Sequence, residues 1–138
     1  MKHYMSVKEV CELTGLTRKH LYYFHHQNIV RATAYANYSV EGNDGYKLYD
    51  KQAVEKLQQI ALFYKLGFKR NEIRNIMLDP DYDCHAAMDT LIAQKEKKRI
   101  QIDNQIAMLK LLKLTNMKDE LSPKIVKAAL RRLEDTEE

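Results

Sequence analysis

Tryptophan is absent from the chain, and 138 residues hold only four glycines and two prolines. So few turn formers leave little room for a many-turned β architecture. Two cysteines, Cys11 and Cys84, cannot make a disulfide framework. No apolar run is long enough to cross a membrane. The N-terminus lacks the apolar segment of a signal peptide, so the expected location is the cytoplasm. Paired carboxylates, a phosphate-cradling glycine loop and a nucleophile constellation are also missing, so neither an enzyme nor a cofactor is expected.

What the chain has is charge and helical periodicity. It is 45% hydrophobic and 30% charged, a composition that folds, and its length suits one compact domain plus an extension. The net charge of +4 is unevenly placed. Up to Leu78 there are twelve Lys and Arg against seven Asp and Glu, a balance of +5. From Asp79 onward there are eleven against twelve, a balance of −1. A positive N-terminal half is the electrostatic footprint of phosphate binding.

The most informative stretch runs from Ser6 to Phe24. Ser6 with Glu9 has the spacing of a capping box. Val7, Val10 and Leu13 supply a buried face at helical spacing, with Cys11 read as a small core residue. Thr14-Gly15 makes a turn, because glycine takes a positive φ without strain. Thr17 can cap a second helix that presents Arg18, Lys19, His20, Tyr22 and Tyr23. A helix opening with two cations and several hydrogen-bonding side chains suits the major groove. A plain solvated helix hairpin fits this stretch equally well.

Asn28 is a left-handed terminator for that helix, after which Ile29 and Val30 pack back. His25-His26 invites a metal reading. Neighbours on a helix point about 100° apart, so a solvated helix end is expected instead. Arg31 to Tyr49 reads as a β-hairpin, with strands over Ala34–Val40 and Tyr46–Tyr49 and an Asp44-Gly45 turn. A hairpin after a helix-turn-helix is a wing, with Lys47 the obvious phosphate contact.

Asp50 caps the next helix, whose stripe is Val54, Leu57, Ile60, Ala61 and Tyr64; Gly67 ends it. A short helix follows, carrying Ile73, Ile76 and Met77. Asp79-Pro80 breaks the chain. From about Cys84 to Leu114 no glycine or proline occurs, which predicts one helix of roughly 45 Å. Its stripe includes Met88, Leu91, Ile92, Ile102, Ile106, Leu109 and Leu112, interrupted by Lys95 to Arg99. Such a stripe folds onto the first domain or pairs with a second copy, and length favours pairing. Thr115 to Leu121 reads as a loop, and Ser122-Pro123 opens a last helix. The expected organisation is 1–78 winged-helix domain, 79–84 linker, 85–114 dimerisation helix, and 115–138 loop and short helix. The fold class is mainly α.

Several pieces occur in a telling order: Ser6-Val7-Lys8-Glu9-Val10, Thr14-Gly15-Leu16-Thr17, Leu21-Tyr22-Tyr23-Phe24, Gly45-Tyr46-Lys47-Leu48-Tyr49-Asp50, and Leu66-Gly67-Phe68 followed by Glu72-Ile73. Together they resemble the MerR family of transcription regulators. The resemblance implies a winged helix-turn-helix DNA-binding domain and an antiparallel coiled-coil dimerisation helix. It implies a homodimer on a pseudo-palindromic promoter operator, with RNA polymerase as a neighbour there. It also implies action by bending and untwisting the DNA, which is indirect readout. Carried over by position, the DNA-binding residues are Thr17, Arg18, Lys19, His20, Tyr22, Tyr23, Tyr46 and Lys47. The dimer residues are Leu91, Ile92, Ile102, Ile106 and Leu109. Four departures stand out. Tyr22 replaces a usual arginine, Phe24 lacks a tyrosine hydroxyl, Lys69 stands where a capping Ser or Thr is usual, and Val30 to Gly45 is long. An excisionase-like architectural protein shares the wing, but the long helix argues against it. A coiled-coil interaction module is the remaining alternative.

In metal-responsive relatives the resemblance would place cysteines in the loop after the dimerisation helix. The loop from Thr115 to Glu120 has none, and one thiolate per chain is too few for tight binding of a soft ion. No metal site is expected. Cys84 is left as the candidate redox residue, although Asp79, Asp81 and Asp83 surround it with negative charge, against a reactive thiolate. Cys84→Ser should therefore keep full operator binding and full regulation. Loss of an oxidant- or metal-dependent promoter response in that variant would overturn this reading.

Overall fold

Ser6 starts the first helix by a reciprocal cap. The Glu9 N–H donates to Ser6 Oγ (3.2 Å), and the Ser6 N–H donates to Glu9 Oε1 (3.1 Å). Two orphan donors of helix α1, Val7–Thr14, are thereby satisfied. The structure, a computed structural model, describes residues 3–36, 47–115 and 121–134. Its two compact units are Met1–Tyr82 and Asp83–Glu138.

The turn after α1 is closed by a buried polar side chain. Thr14 Oγ1 donates to the Val10 carbonyl (2.8 Å) and accepts the Leu16 N–H (3.1 Å). Gly15 sits at φ 79°, and its N–H donates to the Cys11 carbonyl at 2.9 Å. Val10, Thr14 and Leu16 are buried, whereas Leu13 is 52% exposed. The expected Val7-Val10-Leu13 face is thus corrected at its third member. With about 100° per residue, Val7 and Thr14 lie to one side of Val10 and Leu13 to the other. Cys11 is likewise half-buried at the margin of the core, not within it.

Helix α2, Arg18–His26, ends in a left-handed Asn28 at φ 57°. The Ile29 and Val30 N–H groups both reach back to the Phe24 carbonyl, and both side chains are buried. A three-stranded antiparallel sheet follows the order β1-β3-β2, with β1 Met5–Ser6, β2 Ala34–Tyr35 and β3 Lys47–Tyr49. Met5 pairs with Tyr49 and Ser6 with Leu48 on one side. Ala34 pairs with Leu48 and Tyr35 with Lys47 on the other. The expected hairpin is present at its root. Its Asp44-Gly45 turn, and Tyr46, lie outside the described residues. Strand β1 has no sequence signature: two residues are too short for alternation, and Ser6 reads as a helix cap.

Helix α3, Lys51–Leu66, is capped by Asp50, whose Oδ1 accepts the Ala53 N–H at 2.9 Å. It buries Ala53, Val54, Leu57, Ile60 and Ala61. Tyr64 is half-buried. Helix α4, Arg70–Leu78, has no side-chain cap from Lys69, although Glu72 Oε1 accepts the Lys69 N–H (3.0 Å). Ile73 is its fully buried anchor.

The second unit holds α5, Cys84–Lys113, and α6, Pro123–Glu134. Asp83 Oδ1 caps α5 by accepting the Ala86 N–H (2.9 Å). Asn104, Ala107, Met108 and Leu111 of α5 share a small cleft with Arg132 and Leu133 of α6. Neither helix has a buried residue. Ile92, Ile102, Ile106 and Leu109 are exposed, and Leu91 is half-buried.

Gly15→Ala tests the turn. A Cβ there meets nothing within 4 Å, so the cost is backbone strain alone. The expected loss is about 1–2 kcal/mol in denaturant unfolding. A neutral result would mean that the left-handed turn is not required.

Candidate nucleic-acid interface

Helix α2 begins with a second reciprocal cap. The His20 N–H donates to Thr17 Oγ1 (3.2 Å), and the Thr17 N–H donates to His20 Nδ1 (3.1 Å). An imidazole occupies the place usually held by Glu or Gln. The His20 ring also stacks on Tyr64 of α3, with centroids 4.7 Å apart and planes 29° apart. Burial, then the Arg70 charge, holds this imidazole below the usual histidine range. An Nδ1 that accepts an N–H must be unprotonated, so hydrogen bond and charge state agree. His20, expected to face a groove, is engaged in capping and stacking within the domain.

Arg18 and Lys19 are exposed in the first turn of α2, which carries no acidic residue. Cations at a helix N-terminus oppose the macrodipole by some tenths of a kcal/mol each. The helix tolerates this because Leu21 and Phe24 bury its other face.

Two aromatic rings gather further cations around α2. Tyr22 is 60% exposed, with the Lys47 ammonium of β3 5.5 Å from its ring centroid. The same ring leans on His26 at 4.1 Å. Tyr23 receives the Arg70 guanidinium of α4 at 4.2 Å, and meets Phe24 edge-on. Both separations lie within cation–π range, about 0.5–1 kcal/mol at exposed sites. Lys47 and Arg70, far from α2 in sequence, thus join Arg18 and Lys19 around one helix.

The end of α2 is built differently from expectation. His25 is only 5% exposed and is not a solvated helix end. Its Nδ1 accepts the Ala32 N–H (3.0 Å), and its Nε2 lies 3.3 Å from the Tyr35 hydroxyl. His26 is exposed. No group of three or more potential metal ligands occurs among the described residues.

Sequence reading missed Arg70 and Tyr35, the stacking of Tyr64, a residue of the α3 stripe, on His20, and the buried role of His25. Their spacings from α2 carry no local signal; only the packing of α3, α4 and the wing brings them there. The expected residues Thr17, Arg18, Lys19, Tyr22, Tyr23 and Lys47 do lie on or beside α2, while Tyr46 is outside the described residues. Cys84 is the half-buried first residue of α5. No described helix is long and apolar enough to cross a membrane.

Residues 5–79 match the model for the MerR HTH family regulatory proteins, more than half of the chain. The chain belongs to the MerR family. Among MerR-type relatives, it is 31% identical over 104 residues to the HTH-type transcriptional activator mta of Bacillus subtilis (strain 168), covering 73% of this chain and 37% of that protein. It is 31% identical over 71 residues to the nodulation protein NolA of Bradyrhizobium elkanii, covering 51% of this chain and 30% of NolA. The chain therefore spans well under half the length of these relatives. Its structure matches MtaN, the N-terminus of the Bacillus subtilis multidrug transporter activator, at TM-score 0.59 and 27% identity, covering 80% of this chain and 99% of that one. A MerR family regulator from Bacillus cereus shares the fold at TM-score 0.59 and 23% identity, over 96% of this chain and 95% of that one. The winged helix-turn-helix and the long helix after it are thus a MerR architecture.

Proposed function

We propose that the MerR-type N-terminal unit binds double-stranded DNA, with α2 in the major groove and β3 against the flanking backbone. The observation that carries this reading is the gathering of four cations at α2: Arg18 and Lys19 exposed in its first turn, Lys47 over the exposed Tyr22 ring and Arg70 over the half-buried Tyr23 ring. Cations placed against a helix dipole are explained when a polyanion sits there. Tyr22, where relatives usually carry arginine, keeps a cation at the same place by holding Lys47 over its ring. His20 and Thr17 act in this reading as the cap that orients the helix, with the Thr17 hydroxyl beside the backbone.

The same reading makes α5 a dimerisation helix, paired antiparallel with a second copy. Support comes from which faces are covered. Helix α6 lies by Asn104, Ala107, Met108 and Leu111. At about 100° per residue the stripe of Leu91, Ile92, Ile102, Ile106 and Leu109 falls on the other side. Ile92, Ile102, Ile106 and Leu109 stay exposed in one chain. Two such chains would read a pseudo-palindromic promoter operator, with half-site spacing set by the dimer. Bending and untwisting of that DNA, beside RNA polymerase, is the regulatory step that fits the family. The working division is a DNA-binding domain over 1–78, a linker over 79–84, a dimerisation helix over 85–114 and a C-terminal segment over 115–138. A cytoplasmic site of action, away from any membrane, follows from DNA as the ligand.

Lys47→Ala should weaken duplex binding about equally across sequences and flatten the salt slope by about one unit. Unchanged affinity and slope in a salt-titrated gel shift would remove the wing from the interface. Ile106→Asp should yield monomers and abolish operator binding together, because loss of one such buried side chain typically costs about 2–5 kcal/mol. A wild-type monomer at micromolar concentration in sedimentation would rule out the α5 dimer.

A further inference from the structure

Between the recognition helix and the wing, His25 holds two groups at once. Its Nδ1 accepts the Ala32 N–H at 3.0 Å, just before β2 begins. Its Nε2 lies 3.3 Å from the hydroxyl of Tyr35, which is in β2 itself. Tyr35 pairs with Lys47 in the sheet, so the same strand pair carries the wing cation. With Nδ1 accepting an N–H, the neutral ring carries its proton on Nε2 and donates it to Tyr35 Oη. The residue as a whole is 5% exposed.

We propose that His25 is a positioning residue for the wing, and that its protonation releases β2 and β3 from the recognition helix and weakens DNA binding. The second half rests on the DNA-binding reading above; the first does not. A proton added at Nδ1 turns an acceptor into a donor facing the Ala32 N–H. Two donors cannot share that 3.0 Å contact, so ring or strand must move. The groups facing the ring are Lys47 from β3, Arg31 from the turn after α2, His26 from its own helix and the Tyr35 hydroxyl from β2. Lys47 and Arg31 repel a new positive charge, and the desolvated site adds to the cost. Burial first, then Lys47, Arg31 and His26, hold the imidazole below its ordinary value of 6.5. A histidine depressed in the folded state contributes its full stabilisation above the unfolded value. That contribution is lost as pH falls through the lower folded value. The release therefore belongs on the acid side of 6.5.

The test compares wild type with His25→Asn, whose side-chain oxygen can accept the Ala32 N–H but does not titrate. Both are titrated with a random-sequence DNA duplex at low salt, from about pH 7.5 to about pH 5.5, across the histidine range. Wild-type affinity should fall relative to the variant as pH drops, by up to about tenfold per pH unit for one linked proton. The variant keeps an acceptor for the Ala32 N–H but not the Tyr35 contact, so each protein is compared with its own affinity at the upper pH. Parallel curves would overturn the proton linkage. Nitrogen NMR of the free wild type supplies a readout without DNA, and decides alone if His25→Asn fails to fold. It should show the proton on Nε2 at the upper pH. Ala32 amide protection should be lost as His25 titrates. A proton on Nδ1, or protection unchanged through the titration, would overturn the wing latch. If wild type binds no duplex at any pH, the DNA reading fails while the NMR result still decides the latch.

Discussion

Burial of the Tyr49 side chain holds the DNA-binding unit together at its narrowest point. Strand β3 is three residues long, and its neighbours are two residues each. Sheets that small are not stable alone. Tyr49 is completely buried, and the next residue, Asp50, caps α3 while its own N–H donates to Thr33 Oγ1 (3.1 Å). The Thr33 N–H in turn reaches the Leu48 carbonyl at 2.8 Å. The wing root is therefore nailed to the helices at its base. The Tyr49 hydroxyl is buried without a hydrogen-bond partner among the described residues. Burial, with Tyr35 and Cys11 nearby, pushes this phenol up to about 12.

From that anchor the candidate interface follows by short steps. Register places Lys47 two residues from Tyr49, where its ammonium reaches the Tyr22 ring. On the other flank, Phe68 and Ile73 bury the start of α4 and carry Arg70 to Tyr23. His20 and His25 close the two ends of α2, one as cap and stack, the other as bridge to β2. Burial and nearby cations push both imidazoles toward the neutral form. A helix whose outer face is cationic thus relies on uncharged imidazoles to fix its inner geometry. The second unit obeys a different constraint. A helix of 30 residues with no buried position leaves Met88, Ile92, Ile100, Ile102, Ile106, Leu109 and Leu111 exposed.

Much of this was determined by sequence alone. Ser6 with Glu9, Asp50, Asn28, Gly15 and Gly67 set helix ends, because caps and left-handed residues act within a few positions of themselves. Periodicity located the core of α3, and the absence of glycine and proline located α5. The ordered motifs placed the chain in its family. Leu13 shows where local reading stops: an eight-residue helix permits two inner faces, and only docking against α3 and the sheet selects Thr14 over Leu13. Tertiary structure alone decided the environment of α2. Spacing cannot tell that His20 caps and stacks, that His25 is buried against β2, or that Arg70 comes to Tyr23. Each depends on the packing of elements remote in sequence, and that packing rests on the summed burial of Val10, Leu21, Phe24, Tyr49, Leu57, Ile60 and Ile73, not on any one local pattern.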